Sequence, residues 1–239
     1  MTATGSCVFS SVKKGERMEF LWSEKDFLIV RKPAGVPTQP DPSGDPDLLT
    51  LTAAALAERG EDGRLYPIHR LDRTVGGAVL FARTPKSAAR LSELVRDRKI
   101  TKEYLAVVDG VTDAEGKMSD YLYKDAAKGK SYAVATARRG TKYAELTYRR
   151  LAEKEGKSLV AVRLLTGRHH QIRVQFSSRA LPLTGDKKYG SRENCAVALY
   201  AAHLAFSYGK ERVEVIDLPT PGYPWDLFSD VLSRDIFSK

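Results

Sequence analysis

Cysteine and histidine are scarce in this sequence: two of the first and four of the second among 239 residues. Cys7 and Cys195 are far apart, and neither has a CxxC partner. That excludes a cysteine-based metal site and a disulfide-dense secreted scaffold, and leaves two reduced thiols as the expected state. With so few histidines, no metal site and no cofactor site stands out. No apolar run approaches the roughly eighteen residues that a membrane helix needs. The opening stretch, MTATGSCVFSSVKKGERMEF, lacks the positive cap and long apolar segment of a secretory leader. A cytoplasmic protein without membrane contact is therefore expected. Internal repeats and low-complexity tracts are also missing.

What the sequence does have is positive charge. Lys plus Arg is 39 against 30 Asp plus Glu, a formal net charge of +9. A basic surface of this size suits a polyanionic partner, because each phosphate it neutralises releases a counterion. Charge alone does not choose the partner, since many basic proteins bind nothing in particular. The hydrophobic fraction of 42% is that of an ordinary globular protein. The chain is long enough for a full core and a little long for one average domain. No shift in composition marks a boundary, so a single domain over 1–239 is expected, with its core at about 26–206. A monomer is the default expectation.

Residues 26–31 (DFLIVR) read as a strand that ends at the turn Lys32-Pro33-Ala34-Gly35. After the Pro- and Asp-rich loop 37–47, Leu48, Leu51, Ala55 and Leu56 recur at helical spacing, with Asp47 placed to cap the helix. Residues 77–82 (GAVLFA) read as a buried strand. Thr84-Pro85 then opens a second helix, with Ala88, Leu91, Leu94 and Val95 as its apolar stripe and Lys86, Arg90, Arg96 and Arg98 on the other side. Further strands are expected at 101–108, 143–151, 158–165, 199–206 and 212–216. Most follow one another without a crossover helix, which points to an α+β fold with a mixed, largely antiparallel central sheet. Segment 124–142 stands apart. It holds Lys124, Lys128, Lys130, Arg138, Arg139 and Lys142 against one acid, Asp125. It reads equally well as a nucleic-acid-contacting arm or hairpin and as a solvated surface excursion.

Three short motifs carry the chemistry. His69-Arg70-Leu71-Asp72 precedes the strand at 77–82, and a carboxylate at the mouth of a strand can act as nucleophile or base. Standing alone, such an aspartate is more often a cap or an ion-pair partner. Lys102-Glu103-Tyr104 opens the next strand, where Tyr104 can stack on a base, although half-burial in a sheet is the commoner fate. Thr166-Gly167-Arg168-His169-His170-Gln171-Ile172-Arg173 reads as a strand-to-helix turn. Ile172 and Phe176 share one helix face, and Arg173 points elsewhere, able to pair with Asp72 and hold it ionised. The two histidines, about 100° apart on a helix, share no metal easily. Gly185-Asp186-Lys187-Lys188-Tyr189-Gly190 is turn chemistry, either a pocket wall or a plain structural turn.

In order and spacing, HRLD, K-x-Y, TGRxHQIR and GDxxYG, preceded by KPAGVPT, resemble the RluA family of pseudouridine synthases over about 26–206. The resemblance implies an RNA-modifying isomerase that turns uridine of ribosomal or transfer RNA into pseudouridine without cofactor or metal. It assigns the essential aspartate to Asp72, the base-stacking tyrosine to Tyr104 and the basic partner of the aspartate to Arg173. Arg70 would fill the gap left by a flipped nucleotide. His69, Arg168 and Gln171, in the same motifs, are expected at the substrate. It leaves open whether the aspartate adds to the base or acts on the ribose.

Some positions differ from the family pattern: Val75-Gly76 where Thr-Ser is usual, His169 where Thr is usual, and Gln175 where a final His is usual. About twenty-five residues precede the first strand, too few for the S4 RNA-binding domain of many relatives. RNA contact then falls to the helix at 86–98 and to the arm, with Lys128, Lys130, Arg138 and Arg139 as its contacts. Two other functions compete. A non-catalytic RNA-binding protein would not need Asp72, Tyr104 and Arg173 together. A hydrolase using Asp72 with His69 or His170 would need an oxyanion-stabilising arrangement that the sequence does not display.

Overall fold

A computed structural model describes residues 18–237, so Cys7 and most of the stretch read for a leader lie outside the described residues. The chain runs β1 (Phe20–Ser23), β2 (Phe27–Lys32), α1 (Leu48–Ala57), β3 (Tyr66–Pro67), β4 (Gly76–Ala82) and α2 (Pro85–Arg96). Five strands follow without a helix between them: β5 (Thr101–Asp109), β6 (Glu115–Asp125), β7 (Lys130–Val134), β8 (Thr141–Lys154) and β9 (Lys157–Leu164). The short α3 (Gln171–Ser177), β10 (Leu199–Tyr208), β11 (Glu211–Ile216) and α4 (Ser229–Leu232) complete it.

The eleven strands among the described residues join one sheet in the order β1-β2-β4-β10-β5-β9-β8-β6-β7, with β3 on β4 and β11 on β10. Among the described residues β4–β10 is the single parallel pair. This is the expected mixed, largely antiparallel α+β arrangement. At the parallel contact Gly77 has φ +116°, and a Cβ there would lie 2.3 Å from the Ala201 carbonyl oxygen, so only glycine permits the approach.

Local signals set the helix starts. The Asp47 carboxylate accepts from the Thr50 N–H at 3.1 Å, and Thr84 caps α2 in a reciprocal box with Ser87, with Pro85 at the first turn. Leu28, Val30, Val79 and Phe81 face Leu48 and Leu56 of α1, whereas Phe27, Ile29 and Leu80 face Leu91 of α2. β2 and β4 are thus covered on both faces, which is why 77–82 shows no polar alternation. On β5 and β9, Tyr104, Val160 and Val162 pack against Ile172 and Phe176 of α3. The opposite face, with Leu105, Val107 and Leu159, is covered by Trp225, Phe228 and Ile236. The core therefore extends beyond the expected limit at 206, since each fully buried aromatic such as Phe228 stabilises by roughly 1.5–3 kcal/mol.

Four strands escaped the sequence reading, among them the two-residue β3. β6 (EGKMSDYLYKD) turns Met118 and Leu122 inward while its other face meets water, so charge and serine hide the alternation. β7 lies wholly inside the basic tract, and β1 is only four residues long. The tract 124–142 is the tip of a β6–β7 hairpin, the edge strand β7 and a loop returning to β8, which is the hairpin form of the arm.

Candidate active site

A cleft of about 840 Å³ opens where the start of β5, the end of β9, the loop before α3 and the loop 68–75 converge. That last loop is tied on two sides. The Thr38 hydroxyl donates to the Leu71 carbonyl at 2.9 Å and accepts from the Leu71 N–H at 3.1 Å. The fully buried Lys32 donates to the carbonyls of Pro33, Val36 and Arg73 at 2.9, 2.6 and 3.2 Å. Burial lowers its ammonium to about 7, opposed by the charge of Asp72. Asp72 is thereby carried on a pinned segment with its carboxylate partly open to the cleft.

Two groups face that carboxylate. Arg173 Nη1 lies 3.4 Å from Asp72 Oδ2, and His170 Nε2 lies 3.7 Å from the same oxygen. The expected Asp72–Arg173 pairing is present, but it is the weaker of two. Arg173 Nε and Nη2 donate to Asp186 at 2.6 and 2.8 Å, with both side chains almost fully buried. Burial would push the guanidinium down, and Asp186, then Asp72, outweigh it and raise it, so it stays charged.

Tyr104 is 7% exposed and forms part of the cleft wall. Burial first, and the negative charge of Asp72 second, push its phenol well above the ordinary value, so the hydroxyl keeps its proton.

The histidines do not sit as a helical pair. His170 is the residue before α3, with φ +54°, and its ring stacks on that of His169 at 3.7 Å between centroids. His169 Nδ1 lies 2.9 Å from Ser131 Oγ, and His170 Nδ1 lies 2.9 Å from the Tyr189 hydroxyl. Burial, then Arg173, lower His170 to about 2, so its ring is neutral.

The other expected residues divide. Arg70 is exposed at the mouth of the cleft. His69 Nε2 accepts from the Leu80 N–H at 3.2 Å, and burial, then Lys102, lower it to about 3, so the ring serves as a neutral brace to β4. Gln171 is turned into the protein. Its Oε1 accepts from the Thr166 hydroxyl and the Arg168 N–H, and its Nε2 donates to the Glu145 carbonyl. Arg168 lines the cleft while its Nε donates to the Tyr143 carbonyl at 2.8 Å. Lys128, Lys130, Arg138 and Arg139 stand outside the lining, on the hairpin tip and the loop beyond it. Lys124 and Lys142 of the same tract reach the rim, with Arg96 and Arg98 from the end of α2.

Nine Lys and Arg side chains line the cleft, and among the described residues Asp72 is its one acid. Such a lining favours a phosphate-bearing ligand.

Sequence reasoning missed Asp186, Lys32 and Tyr189 as members of the site. The GDxxYG turn held the usable signal: an aspartate so close to a buried segment needs a cation, and Arg173 is the one it finds.

Comparison with known proteins agrees with this arrangement. A family model described as RNA pseudouridylate synthase matches residues 26–178. The chain is 32% identical over 206 residues to ribosomal large subunit pseudouridine synthase D of Zymomonas mobilis, covering 79% of this chain and 64% of that protein. The protein of the same name from Yersinia pestis is 33% identical, with 82% and 59% covered. The chain thus spans less than two thirds of these two relatives. An uncharacterised RNA pseudouridine synthase of Z. mobilis is 34% identical, with 77% of this chain and 84% of that protein covered. The fold matches human RNA pseudouridylate synthase domain containing 4, with a TM-score of 0.73 at 21% identity over 89% of this chain and 92% of that one. Matched over most of its sheet and through the motifs that build the cleft, the chain belongs to the RNA pseudouridylate synthase family.

Proposed function

We propose that this protein isomerises uridine in RNA to pseudouridine, with Asp72 as its essential group. The observation that carries the reading is a single carboxylate, partly open to a strongly basic cleft, held between Arg173 and the wall that contains Tyr104. In the reaction the C1′–N1 bond breaks, the uracil turns, C1′ bonds to C5, and the C5 proton is replaced by one at N1. Atoms and electrons balance within the nucleotide, so the chemistry consumes nothing.

A carboxylate can loosen the glycosidic bond by adding to the base, by attacking C1′ or by taking a ribose proton. Each route needs it ionised and uncapped. Arg173 faces the carboxylate without capping it, because its short bonds go to Asp186. A uridine inside a stack must flip out, at a cost of a few kcal/mol, and stacking on Tyr104 returns roughly 1–3 kcal/mol. Leu71, Val75 and Ile172 close the wall around the ring, so the detached uracil turns in place.

Arg70, exposed at the mouth, fills the gap left by the flipped nucleotide in this reading. Gln171 and His69 act through the loops they hold. The RNA bears on Lys124 and Lys142 at one rim and on Arg96, Arg98 and Arg168 at the other, with Lys128, Lys130, Arg138 and Arg139 extending the track. The names of the relatives favour ribosomal over transfer RNA as target. A single cytoplasmic domain acting as a monomer is the simplest form of this enzyme.

Tritium release from [5-³H]uridine-labelled ribosomal RNA tests the reading. Release by wild type and none by Asp72→Asn supports it. Equal release by both overturns it.

A further inference from the structure

The hydrogen-bond pattern behind Asp72 fixes more than its charge. The Tyr189 hydroxyl accepts the Ser131 backbone N–H at 2.8 Å and lies 2.9 Å from His170 Nδ1. A phenol has one hydrogen to give. With the Ser131 N–H already pointing at the oxygen, the arrangement that leaves nothing unmade is donation from Tyr189 to Nδ1. Nδ1 is then an acceptor, and the ring hydrogen sits on Nε2. The side of the ring that faces Asp72 Oδ2, at 3.7 Å, is that same Nε2. The other tautomer would aim a lone pair at a carboxylate and leave the phenolic hydrogen without its partner.

We infer that His170 is a positioning residue for the reaction. Ser131 and Tyr189 hold it in the Nε2–H tautomer, and it offers that hydrogen to the Asp72 carboxylate as the nucleotide enters. The inference rests on the proposed isomerase reading and deepens it. The carboxylate then has two distinct donors on one side: a charged one, Arg173, and a neutral one, His170, that sets its direction. The 3.7 Å separation is too long for a formed hydrogen bond, and catalytic hydrogen bonds often tighten only when substrate binds. The neutral ring matters here, because a second cation would cap the carboxylate that must act. Tyr189 is enclosed on several sides: Arg173 and Lys130 lie 5.1 and 5.0 Å from its ring centre, and the His170 ring meets it edge-on at 83°. Ser131 also contacts His169, on which His170 stacks, so the edge strand β7 grips both rings.

Two measurements test this. The first is ¹⁵N NMR of histidine-labelled free protein, which reads the tautomer without RNA. Wild type is expected to show His170 with Nε2 protonated and Nδ1 accepting, and Tyr189→Phe to show a mixed population. A wild-type ring protonated on Nδ1 overturns the inference.

The second is the single-turnover rate on [5-³H]uridine-labelled ribosomal RNA for Tyr189→Phe, His170→Gln and His170→Leu. Gln and Leu share the cost of the left-handed backbone at this position, but only Gln returns an N–H near Nε2. The expected result is a fall in rate of about tenfold for Tyr189→Phe and more for Leu, the size of one hydrogen bond to a charged group. Gln should recover most of it, with RNA affinity unchanged throughout. Equal rates for Gln and Leu would contradict the inference. A wild type inactive on this RNA would instead count against the proposed function, with the nitrogen shifts still deciding the tautomer.

Discussion

Arg173 and Asp186 form the tightest ion pair of the cleft wall, with Nε and Nη2 on two separate carboxylate oxygens at 2.6 and 2.8 Å. The pair turns a flexible cation into a fixed one, so the remaining nitrogen faces Asp72 at a set distance. Asp186→Asn keeps the volume but removes the charge, leaving a buried guanidinium poorly matched. The expected loss is about 3 kcal/mol, a fall in Tm of roughly 10 °C for a chain of this size, with slower isomerisation in the folded fraction. Thermal unfolding with a rate at fixed folded fraction checks it. A stable variant with full rate would show that Arg173 needs no second carboxylate.

Lys32→Met tests the pinned loop. The variant removes three bonds that a fully buried ammonium makes to carbonyls, and it is expected to cost about 3 kcal/mol. Denaturant unfolding reads the loss directly. A change below about 0.5 kcal/mol would mean that the carbonyls find water instead.

The part the basic tract plays in RNA binding is read from affinity, not from rate. Neutralising Lys128, Lys130, Arg138 and Arg139 together should weaken RNA binding and reduce the salt slope by up to about 3.6, at roughly 0.7–0.9 for each phosphate left without its cation. Binding titrations at several salt concentrations measure the slope. An unchanged slope would leave the tract a solvated excursion.

A pH effect is expected from a group outside the cleft lining. His203 is buried between Glu103, at 2.6 Å from Nδ1, and Glu214, at 2.9 Å from Nε2. Burial alone would lower the ring, but the two glutamates outweigh it and raise it above its ordinary value. A base raised in the folded state contributes stability that is fully present below its unfolded pKa, about 6.5, and is lost as pH rises through the higher folded value. Wild-type Tm measured against pH should therefore decline across that window, and His203→Gln should flatten the decline. A parallel decline in both would assign it to other groups.

Much of the molecule is legible in the sequence where one local signal decides the outcome. Asp47 and Thr84-Pro85 announce their helices, and the unbroken apolar run at 77–82 announces a strand covered on both faces. That Asp72, Tyr104 and Arg173 share one cleft is what the family resemblance of their motifs implies, and all three line it. What stays hidden depends on partners distant in sequence. Nothing near Arg173 says that Asp186 takes its best bonds, and nothing near His170 says that the helix begins one residue later. That offset places its ring over His169 and not 100° away. β6 and β7 are lost because a ribbon with one wet face carries too few apolar residues to declare its period.

The role of Asp72 is open to one decisive measurement. Ribosomal RNA from cells lacking the protein, supplied with wild type or with Asp72→Asn, is mapped for pseudouridine by carbodiimide labelling and primer extension. The expected result is a stop at one or more uridines with wild type and none with Asp72→Asn, while the variant still folds and binds RNA. The same stops with both proteins would contradict Asp72 as the essential group.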